Sequence, residues 1–311
     1  MRSMLITSLL LALLLLSACD LHHYEGTGED GVTGTQGVKM DFIPGTTPLR
    51  IMEDEPYNIQ LRIENKGALD IEEGYLDYSF DRQLFDFQNR EDVQDFALQG
   101  DDGAFRGEDR VKEIRMHSKT IPMQDVTQTT TGIKINACYE YGTRFEGTMC
   151  IDTDLRSDSS DKPCIMSPVS GDRGQGAPVV VHRVEPRGSM GSAGANINFD
   201  IYIRNAGRGT VISPGSAERL CRSEISSVDF GLIDLSEIIV SKYRLSEGDI
   251  RCESHTDSPN QFDLRHQRDY ISCRISDEIP ADLGTFTTPI TIRLDYGYLQ
   301  SLEHRVDIVA R

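Results

Sequence analysis

The chain of 311 residues is long enough for two ordinary domains, and 38% hydrophobic with 26% charged residues is typical of a water-soluble protein with a core, not of a disordered chain. Its 32 lysines and arginines against 50 aspartates and glutamates give a formal net charge of −18. An acidic excess of this size argues against a phosphate-binding surface, and therefore against nucleic acid as a partner.

An export signal occupies the N-terminus. The mostly apolar run from Met4 to Leu16 is typical of the central region of a signal peptide, since a membrane-spanning helix needs about 20 residues. The motif Leu16-Ser17-Ala18-Cys19 at its end resembles the lipobox of prokaryotic lipoproteins. The resemblance implies cleavage after Ala18 and lipidation of the Cys19 thiol, which becomes the mature N-terminus. An ordinary signal peptide and an uncleaved anchor are the alternatives.

Residues 1–18 are thus the expected signal peptide, and residues 19–37 the expected lipidated tether. The tether segment has several glycines and few apolar side chains, so it cannot bury enough surface to offset the entropy lost on ordering. We expect it to hold the first folded module away from the membrane surface.

Short alternating segments beyond the tether predict β-strands. Ile59–Ile63 alternates apolar and polar side chains and stops at Asn65-Lys66-Gly67, a turn signal. Phe199–Ile203 does the same and stops at Asn205-Ala206-Gly207, at a constant offset of 140 residues. We interpret the match as an internal repeat.

A second match lies near the end of each repeat, at an offset of 157. It places Ile133–Tyr141 over Ile290–Tyr298 and Met149–Ile151 over Val306–Ile308. We therefore expect each module to end in a hairpin made of its two segments. The increase from 140 to 157 places about 17 extra residues in the second module, within residues 213–267.

These patterns predict an all-β protein with two tandem Ig-like antiparallel β-sandwich domains. The first covers residues 38–156, a Gly- and Pro-containing linker covers residues 157–178, and the second covers residues 179–311 with a mid-domain insertion.

The two strand-and-turn segments, Asn58–Gly67 and Asn198–Gly207, resemble CARDB modules, the cell-adhesion-related domains of prokaryotic surface proteins. Those modules also combine an alternating strand with an Asn-x-Gly turn. The resemblance implies spacer or interaction domains of an envelope protein, and it carries over no catalytic residues.

Six cysteines remain once Cys19 is assigned to lipid, and six cysteines allow 15 complete pairings. We expect Cys138 to pair with Cys150, because both lie on the proposed first hairpin. Further expected pairs are Cys252 with Cys273, and Cys164 with Cys221. The sequence has no Cys-x-x-Cys spacing, so metal binding by these thiols is disfavoured and an oxidising compartment is indicated.

Signals for chemistry are weak. The sequence contains no Gly-x-Ser-x-Gly elbow, Walker loop, His-Glu-x-x-His or dinucleotide fingerprint, so we nominate no catalytic residue and expect no enzyme. Asp152, Asp154 and Asp158 are weak candidates for Ca²⁺ ligands, with a solvated acidic loop as the alternative. Tyr139 and Tyr296 are expected to pack in the core, with their hydroxyl groups bound to the backbone.

The sequence therefore predicts an extracytoplasmic lipoprotein, anchored to the membrane by its N-terminal lipid, on the cell surface or facing the periplasm. Its expected role is structural, adhesive or protein-interacting, with another envelope protein or a surface polymer as partner. The alternative is an accessory lipoprotein that binds a small ligand or Ca²⁺ through acidic loops; we expect no other cofactor.

Overall fold

The computed structural model of the protein describes residues 33–88, 93–101, 108–123, 126–157, 162–223, 230–254, 256, 258–266 and 270–311. The chain from Val32 to Arg311 forms one compact unit. The described residues lie mostly in β-strands, and their largely antiparallel sheets form a sandwich-like fold, which confirms the predicted all-β class.

The strands of the first half are β1 (Val38–Phe42), β2 (Arg50–Met52), β3 (Pro56–Asn65), β4 (Ile71–Ser79), β5 (Phe85–Gln88), β6 (Val93–Leu98), β7 (Val111–Thr120) and β8 (Gln128–Asp152). A small sheet of this half has the order β1, β3, β7, β5. In β3, Tyr57, Ile59, Leu61 and Ile63 are fully buried and alternate with more exposed residues. This period of two is what a strand with one buried face requires.

The strands of the second half are β9 (Val169–Ser170), β10 (Val179–Met190), β11 (Gly194–Asn205), β12 (Thr210–Ile212), β13 (Leu232–Val240), β14 (Tyr243–Arg244), β15 (Ile250–Glu253), β16 (Gln261–Asp263), β17 (Tyr270–Ile275), β18 (Ile279–Pro280) and β19 (Thr285–Val309). The helix α1 covers Ala217–Cys221, and short 3-10 turns cover Glu108–Arg110, Leu264–His266 and Ala281–Leu283. A second small sheet has the order β15, β17, β11, β10, β9.

Both halves contribute to one large sheet, with the order β14, β13, β19, β8, β4, β6. Its centre is the antiparallel pair of β8 and β19, which are 25 residues each and pair along their whole length. The repeat offset of 157 maps the first residue of β8, Gln128, onto the first of β19, Thr285. The two strands are therefore repeat equivalents that pair with each other.

Each long strand starts in its own half and ends in the other. The first part of β8 pairs with β4, whereas in its second half Thr143 Oγ1 donates a 2.6 Å hydrogen bond to the carbonyl oxygen of Val179 in β10. Likewise, the first part of β19 pairs with β13, whereas its end pairs with β2, with Asp307 next to Arg50. The two halves have exchanged strands, as in domain swapping within one chain.

The expected terminal hairpins are therefore wrong. Tyr139 pairs with Tyr298, and Met149 pairs with Thr288, so the two segments of β8 do not fold back on each other. The inward-facing alternation stays in phase from Ile133 to Ile151, which a single straight strand satisfies. The predicted limits of two separate domains stay a prediction, since the long strands of both halves belong to the same sheet.

The disulfides correct two of the expected pairings and confirm the third. Cys138 and Cys150 lie on the same straight strand, about 40 Å apart at the usual rise per residue, so they cannot pair. The bonds are Cys138–Cys221, Cys150–Cys164 and Cys252–Cys273, the last one joining directly opposite residues of β15 and β17. Three disulfides are typical of a protein outside the cytoplasm.

The insertion of the second half lies between β12 and β13, within the predicted residues 213–267, because both of these strands pair with β19. Its helix α1 packs on the first half. The Glu140 carboxylate accepts hydrogen bonds from the amides of Gly215 (3.0 Å) and Ala217 (2.9 Å) at the start of the helix, and Cys221 at its end forms the disulfide to Cys138. The insertion thus fastens the second half to β8.

Candidate functional site

The acidic loop places two of the three predicted Ca²⁺ ligands in a network of protein contacts. Asp152 Oδ2 lies 2.7 Å from Lys162 Nζ, and Asp152 Oδ1 accepts hydrogen bonds from Thr285 Oγ1 (2.9 Å) and the amide of Asp154 (3.1 Å). Burial raises the pKa of Asp152, but the hydrogen bonds from Lys162, Thr285 and Asp154 outweigh it and hold the pKa below 3.8. Asp158 lies outside the described residues, as does Cys19.

The ammonium group of Lys162 also donates to the carbonyl oxygen of Asp154 at 2.9 Å. It therefore takes the position between these two oxygens that a hard cation would need. Among the residues that the structure describes, no group of three His, Cys, Asp or Glu side chains is arranged to hold a metal ion. The ion pair between Asp152 and Lys162 therefore closes the short loop that the Cys150–Cys164 bond encloses.

Four tyrosines meet where β8 and β19 cross between the halves: Tyr139, Tyr141, Tyr296 and Tyr298. They are buried, and the ring centroids of the directly paired tyrosines are 5.8 Å and 6.3 Å apart. The Tyr139 hydroxyl accepts a hydrogen bond from the Val38 amide at 3.1 Å, and the Tyr296 hydroxyl accepts one from the Val179 amide at 3.4 Å. This confirms their expected packing role.

These two contacts are equivalent, because Val38 and Val179 pair with Asn65 and Asn205 in the two repeats. Burial raises the pKa of Tyr139 and Tyr296 well above the ordinary value. Both hydroxyl groups are therefore neutral and hydrogen-bonded to the backbone, and the cluster is a structural centre, not a set of nucleophiles.

The Asn-x-Gly turns make the same contacts in both halves. The Asn65 side chain donates to the carbonyl oxygen of Leu69 (2.8 Å) and accepts from the amide of Gly67 (2.9 Å). The Asn205 side chain donates to the carbonyl oxygen of Gly209 (2.9 Å) and accepts from the amide of Gly207 (3.2 Å). The Asn-x-Gly motif therefore recurs in the sequence because each turn needs these two side-chain hydrogen bonds.

The solvent-facing side of the second small sheet carries a surface that sequence reasoning missed. Its strands β15, β17, β11 and β10 direct alternate side chains outward, in three rows that cross the strands, and we call it the arginine–tyrosine face. An alternation of charged and aromatic residues in β10, β11 and β17 was the available signal. The aromatic row consists of Tyr270, Tyr202 and Arg183.

The side chains of the aromatic row stack on one another across three strands. The rings of Tyr202 and Tyr270 stack with centroids 5.4 Å apart and planes 27° apart, and the Arg183 guanidinium carbon lies 4.2 Å from the centre of the Tyr202 ring. Stacking and the cation–π contact hold these groups side by side. Tyr270 remains 37% exposed.

In the acidic row, next along the strands, Asp200 and Glu185 form ion pairs with arginines of the two neighbouring rows. Asp200 is buried, contacts Arg187, and accepts a hydrogen bond from Ser272 Oγ at 2.7 Å. Glu185 forms an ion pair with Arg183 at 3.1 Å. Their negative charges are therefore largely compensated.

The arginine row, in contrast to the acidic row, contains two positive charges without an ion-pair partner among the described residues. Arg251 and Arg274 are direct neighbours on β15 and β17, and Asn198 continues the row on β11. Both arginines are exposed. Like charges directly opposite on adjacent strands destabilise a sheet, so an anion at this row would relieve an existing repulsion.

Within the described part of the chain, no helix is long and apolar enough to cross a membrane. No protein-family model and no curated protein matches the sequence.

Among solved structures, a serine-rich repeat adhesion glycoprotein from Streptococcus agalactiae is 10% identical, with 86% of this chain and 96% of that chain covered and a TM-score of 0.18. A structure titled pT26-6p is 8% identical, with 90% and 66% covered and a TM-score of 0.18. Similarities this low carry no argument, so the function is inferred from the geometry of the chain itself.

Proposed function

We propose that the protein is a membrane-anchored envelope lipoprotein with a structural and adhesive role, and that it presents the arginine–tyrosine face to a partner. The lipobox resemblance at Leu16–Cys19 supports lipid attachment at Cys19, and the three disulfides support a location outside the cytoplasm. Catalysis is not part of the proposal, since the central tyrosines are neutral and bound to the backbone.

The observation that carries the proposal is the strand exchange between the halves. Tandem domains usually move relative to each other unless their interface is large and apolar. Here β8 and β19 each run through both halves, and the Cys138–Cys221 bond joins β8 to the insertion of the second half. Such a body holds a contact surface at a fixed orientation, which is what an adhesive or scaffolding protein needs.

The expected tether joins this body close to the junction of the halves. Gly34 forms a bridge to Gly174, its amide donates to the carbonyl oxygen of Arg173 at 3.0 Å, and its own carbonyl oxygen accepts from Gly176 at 3.0 Å. The first described residues after the expected tether therefore lie against the segment that connects the two halves.

The test is photo-crosslinking in the native host, with a photoreactive amino acid at Glu253 on the edge of the arginine–tyrosine face. Glu303 on β19, which is also exposed, is the matched control position. We expect a crosslinked envelope component from position 253 and none from position 303. Equal crosslinking from both positions, or none from either, contradicts the proposal.

A further inference from the structure

We propose that the arginine row of the arginine–tyrosine face binds an acidic protein segment, an extended stretch of a partner protein that carries carboxylate side chains. This inference rests on the proposed adhesive function and names the chemistry of the partner at the same surface. It follows from the exposed arginines of the row, from the polar groups beside them and from the spacing between them.

The arginine row crosses four strands. Arg251 on β15 lies opposite Arg274 on β17, and Asn198 on β11 and Arg187 on β10 continue the row. All three arginines are exposed. Since the whole chain has a formal charge of −18, this row differs in sign from most of the surface and attracts an anionic ligand.

A disulfide holds the two unpaired arginines against each other. Cys252 and Cys273 are bonded directly across β15 and β17, and they are the chain neighbours of Arg251 and Arg274. The strands therefore cannot shift in register to separate the two like charges. A carboxylate at this position gains two parallel hydrogen bonds from a guanidinium group and offsets the repulsion.

The groups next to the pair select a ligand that also carries hydrogen-bond donors. Glu253 lies two residues from Arg251 on the same side of β15 and is exposed. Within the described part of the chain, neither the Glu253 carboxylate nor the Asn198 amide has a hydrogen-bond partner. An extended peptide supplies backbone N–H donors and C=O acceptors for these groups, whereas a polyphosphate chain supplies acceptors only.

A sugar polymer fits the face less well than a peptide. The Tyr202 ring lies between the Arg183 guanidinium group and the stacked Tyr270 ring, so it offers no open face on which a sugar ring could pack. Recognition at the arginine row depends instead on charge and hydrogen bonds.

The spacing along the row matches an extended peptide that lies across the strands. With strands about 4.8 Å apart, Asn198 lies about 7 Å and Arg187 about 12 Å from the midpoint of the Arg251–Arg274 pair. Alternate residues of an extended peptide are about 7 Å apart, and residues i and i+4 about 13 Å apart. Two carboxylates four positions apart can therefore reach the pair and Arg187.

Arg187 can take part although it contacts Asp200. Its side chain remains 61% exposed, and a guanidinium group has five N–H donors. The row thus offers one strong carboxylate site at the unpaired arginines and a second site at Arg187.

The test is fluorescence anisotropy with the purified lipidated chain in an uncharged detergent at low salt. The probe is a labelled peptide of serine, glycine and glutamine with two glutamates four positions apart. We expect it to bind, and a peptide with glutamine at both positions not to bind. A peptide with adjacent glutamates should bind at least threefold more weakly. Unlabelled polyglutamate should displace the probe at a lower concentration of charge than polyphosphate or polygalacturonate.

The double variant R251Q/R274Q should bind the probe at least tenfold more weakly. The control R293Q/R305Q removes two exposed arginines from β19, changes the net charge equally, and should bind as the wild type does. Binding that is unchanged in R251Q/R274Q would overturn the inference, and so would the absence of binding by the wild type. Stronger displacement by polyphosphate or polygalacturonate would identify another class of polymer and overturn it as well.

The single variant Arg251→Gln keeps the test decisive if the double variant does not fold. It should bind the probe at least threefold more weakly while its melting temperature does not fall, because the substitution removes a repulsion. A lower melting temperature would assign the arginine pair a structural role and reject the inference.

The crosslinking experiment at position 253 separates this failure from failure of the proposed function. A crosslinked partner that protease degrades supports both proposals. A crosslinked partner that protease leaves intact keeps the adhesive function and rejects the acidic protein segment. No product rejects the proposed function itself.

Discussion

Glu140 on β8 pairs with Gly297 on β19, and the internal repeat aligns the same two residues. A residue that pairs with its own repeat equivalent marks a two-fold axis, as at the centre of a symmetric dimer contact. The halves differ at this axis, because the Glu140 carboxylate binds the start of α1 while a side chain at position 297 would collide with Ile212. The insertion thus breaks the symmetry at its centre.

Cleavage of the chain between the halves should leave them together. With a protease site introduced at residues 158–161, both Cys138–Cys221 and Cys150–Cys164 still join the two fragments. We expect one band on a non-reducing denaturing gel and two after reduction. Without denaturant, the reduced fragments should still co-elute in gel filtration, because β8 and β19 remain paired. Separate elution of the reduced fragments would contradict the strand exchange.

Removal of the disulfides should destabilise the protein according to the loops they close. The Cys138–Cys221 bond has a sequence separation of 83 and Cys150–Cys164 one of 14. In the loop-entropy model, replacing both cysteines by alanine lowers the free energy of unfolding by about 4.5 kcal/mol for the first bond and about 3 kcal/mol for the second. Urea unfolding measures both, and a larger loss for the shorter loop would be inconsistent with this account.

Replacement of Tyr139 by phenylalanine should destabilise the junction of the halves. It removes the acceptor of the buried Val38 amide, and an unsatisfied buried donor costs about 1–3 kcal/mol. Tyr75→Phe is the matched control, since no hydrogen bond of the Tyr75 hydroxyl is found within the described residues, and it should change stability by less than about 0.5 kcal/mol. Urea unfolding of the two variants tests the difference.

The Asp152 carboxylate should make part of the stability dependent on pH. Its pKa in the folded protein lies below 3.8 despite burial, because Lys162 and Thr285 bind the charged form. A lowered folded pKa means that this contribution is fully present above the unfolded value and is lost as pH falls through the folded value. The stability difference between wild type and Asp152→Asn should therefore stay constant from pH 7 to about 5 and shrink below about pH 4. A difference that grows on acidification would disprove this assignment.

Lipidation should depend on one thiol. The mass of the membrane-extracted protein should correspond to a chain that begins at Cys19 and carries acyl groups, whereas Cys19→Ser should yield an unacylated protein that is released from membranes. Two or more acyl chains are needed for stable anchoring, and a single one is marginal. An unchanged mass of the wild-type full-length chain would reject the lipobox prediction.

Much of the architecture was predictable because it depends on local patterns. The alternation in β3 and β11 predicts strands with one buried face, and the turns at Asn65 and Asn205 predict the repeat. The Cys252–Cys273 pair could also be predicted from the sequence, since both cysteines lie in short alternating segments. Each of these features needs only a few consecutive residues.

The strand exchange was not predictable from the same patterns. An alternating strand such as β8 is satisfied equally by a partner from its own half or from the other half, so the sequence does not distinguish a hairpin from an exchanged strand. The wrong Cys138–Cys150 pairing followed from that ambiguity. The arginine–tyrosine face was missed for a related reason: the opposition of Arg251 and Arg274 depends on the register of β15 and β17, which no local pattern encodes.

The full-length pairing of β8 with β19 also determines how the protein responds to tension. Since each strand is continuous through both halves, the halves can separate only if one strand slides lengthwise past the other. A pulling force then loads the hydrogen bonds of the ladder in shear, and many must break together instead of one after another. We therefore expect the β8–β19 ladder to resist forces that pull the two halves apart along the strands.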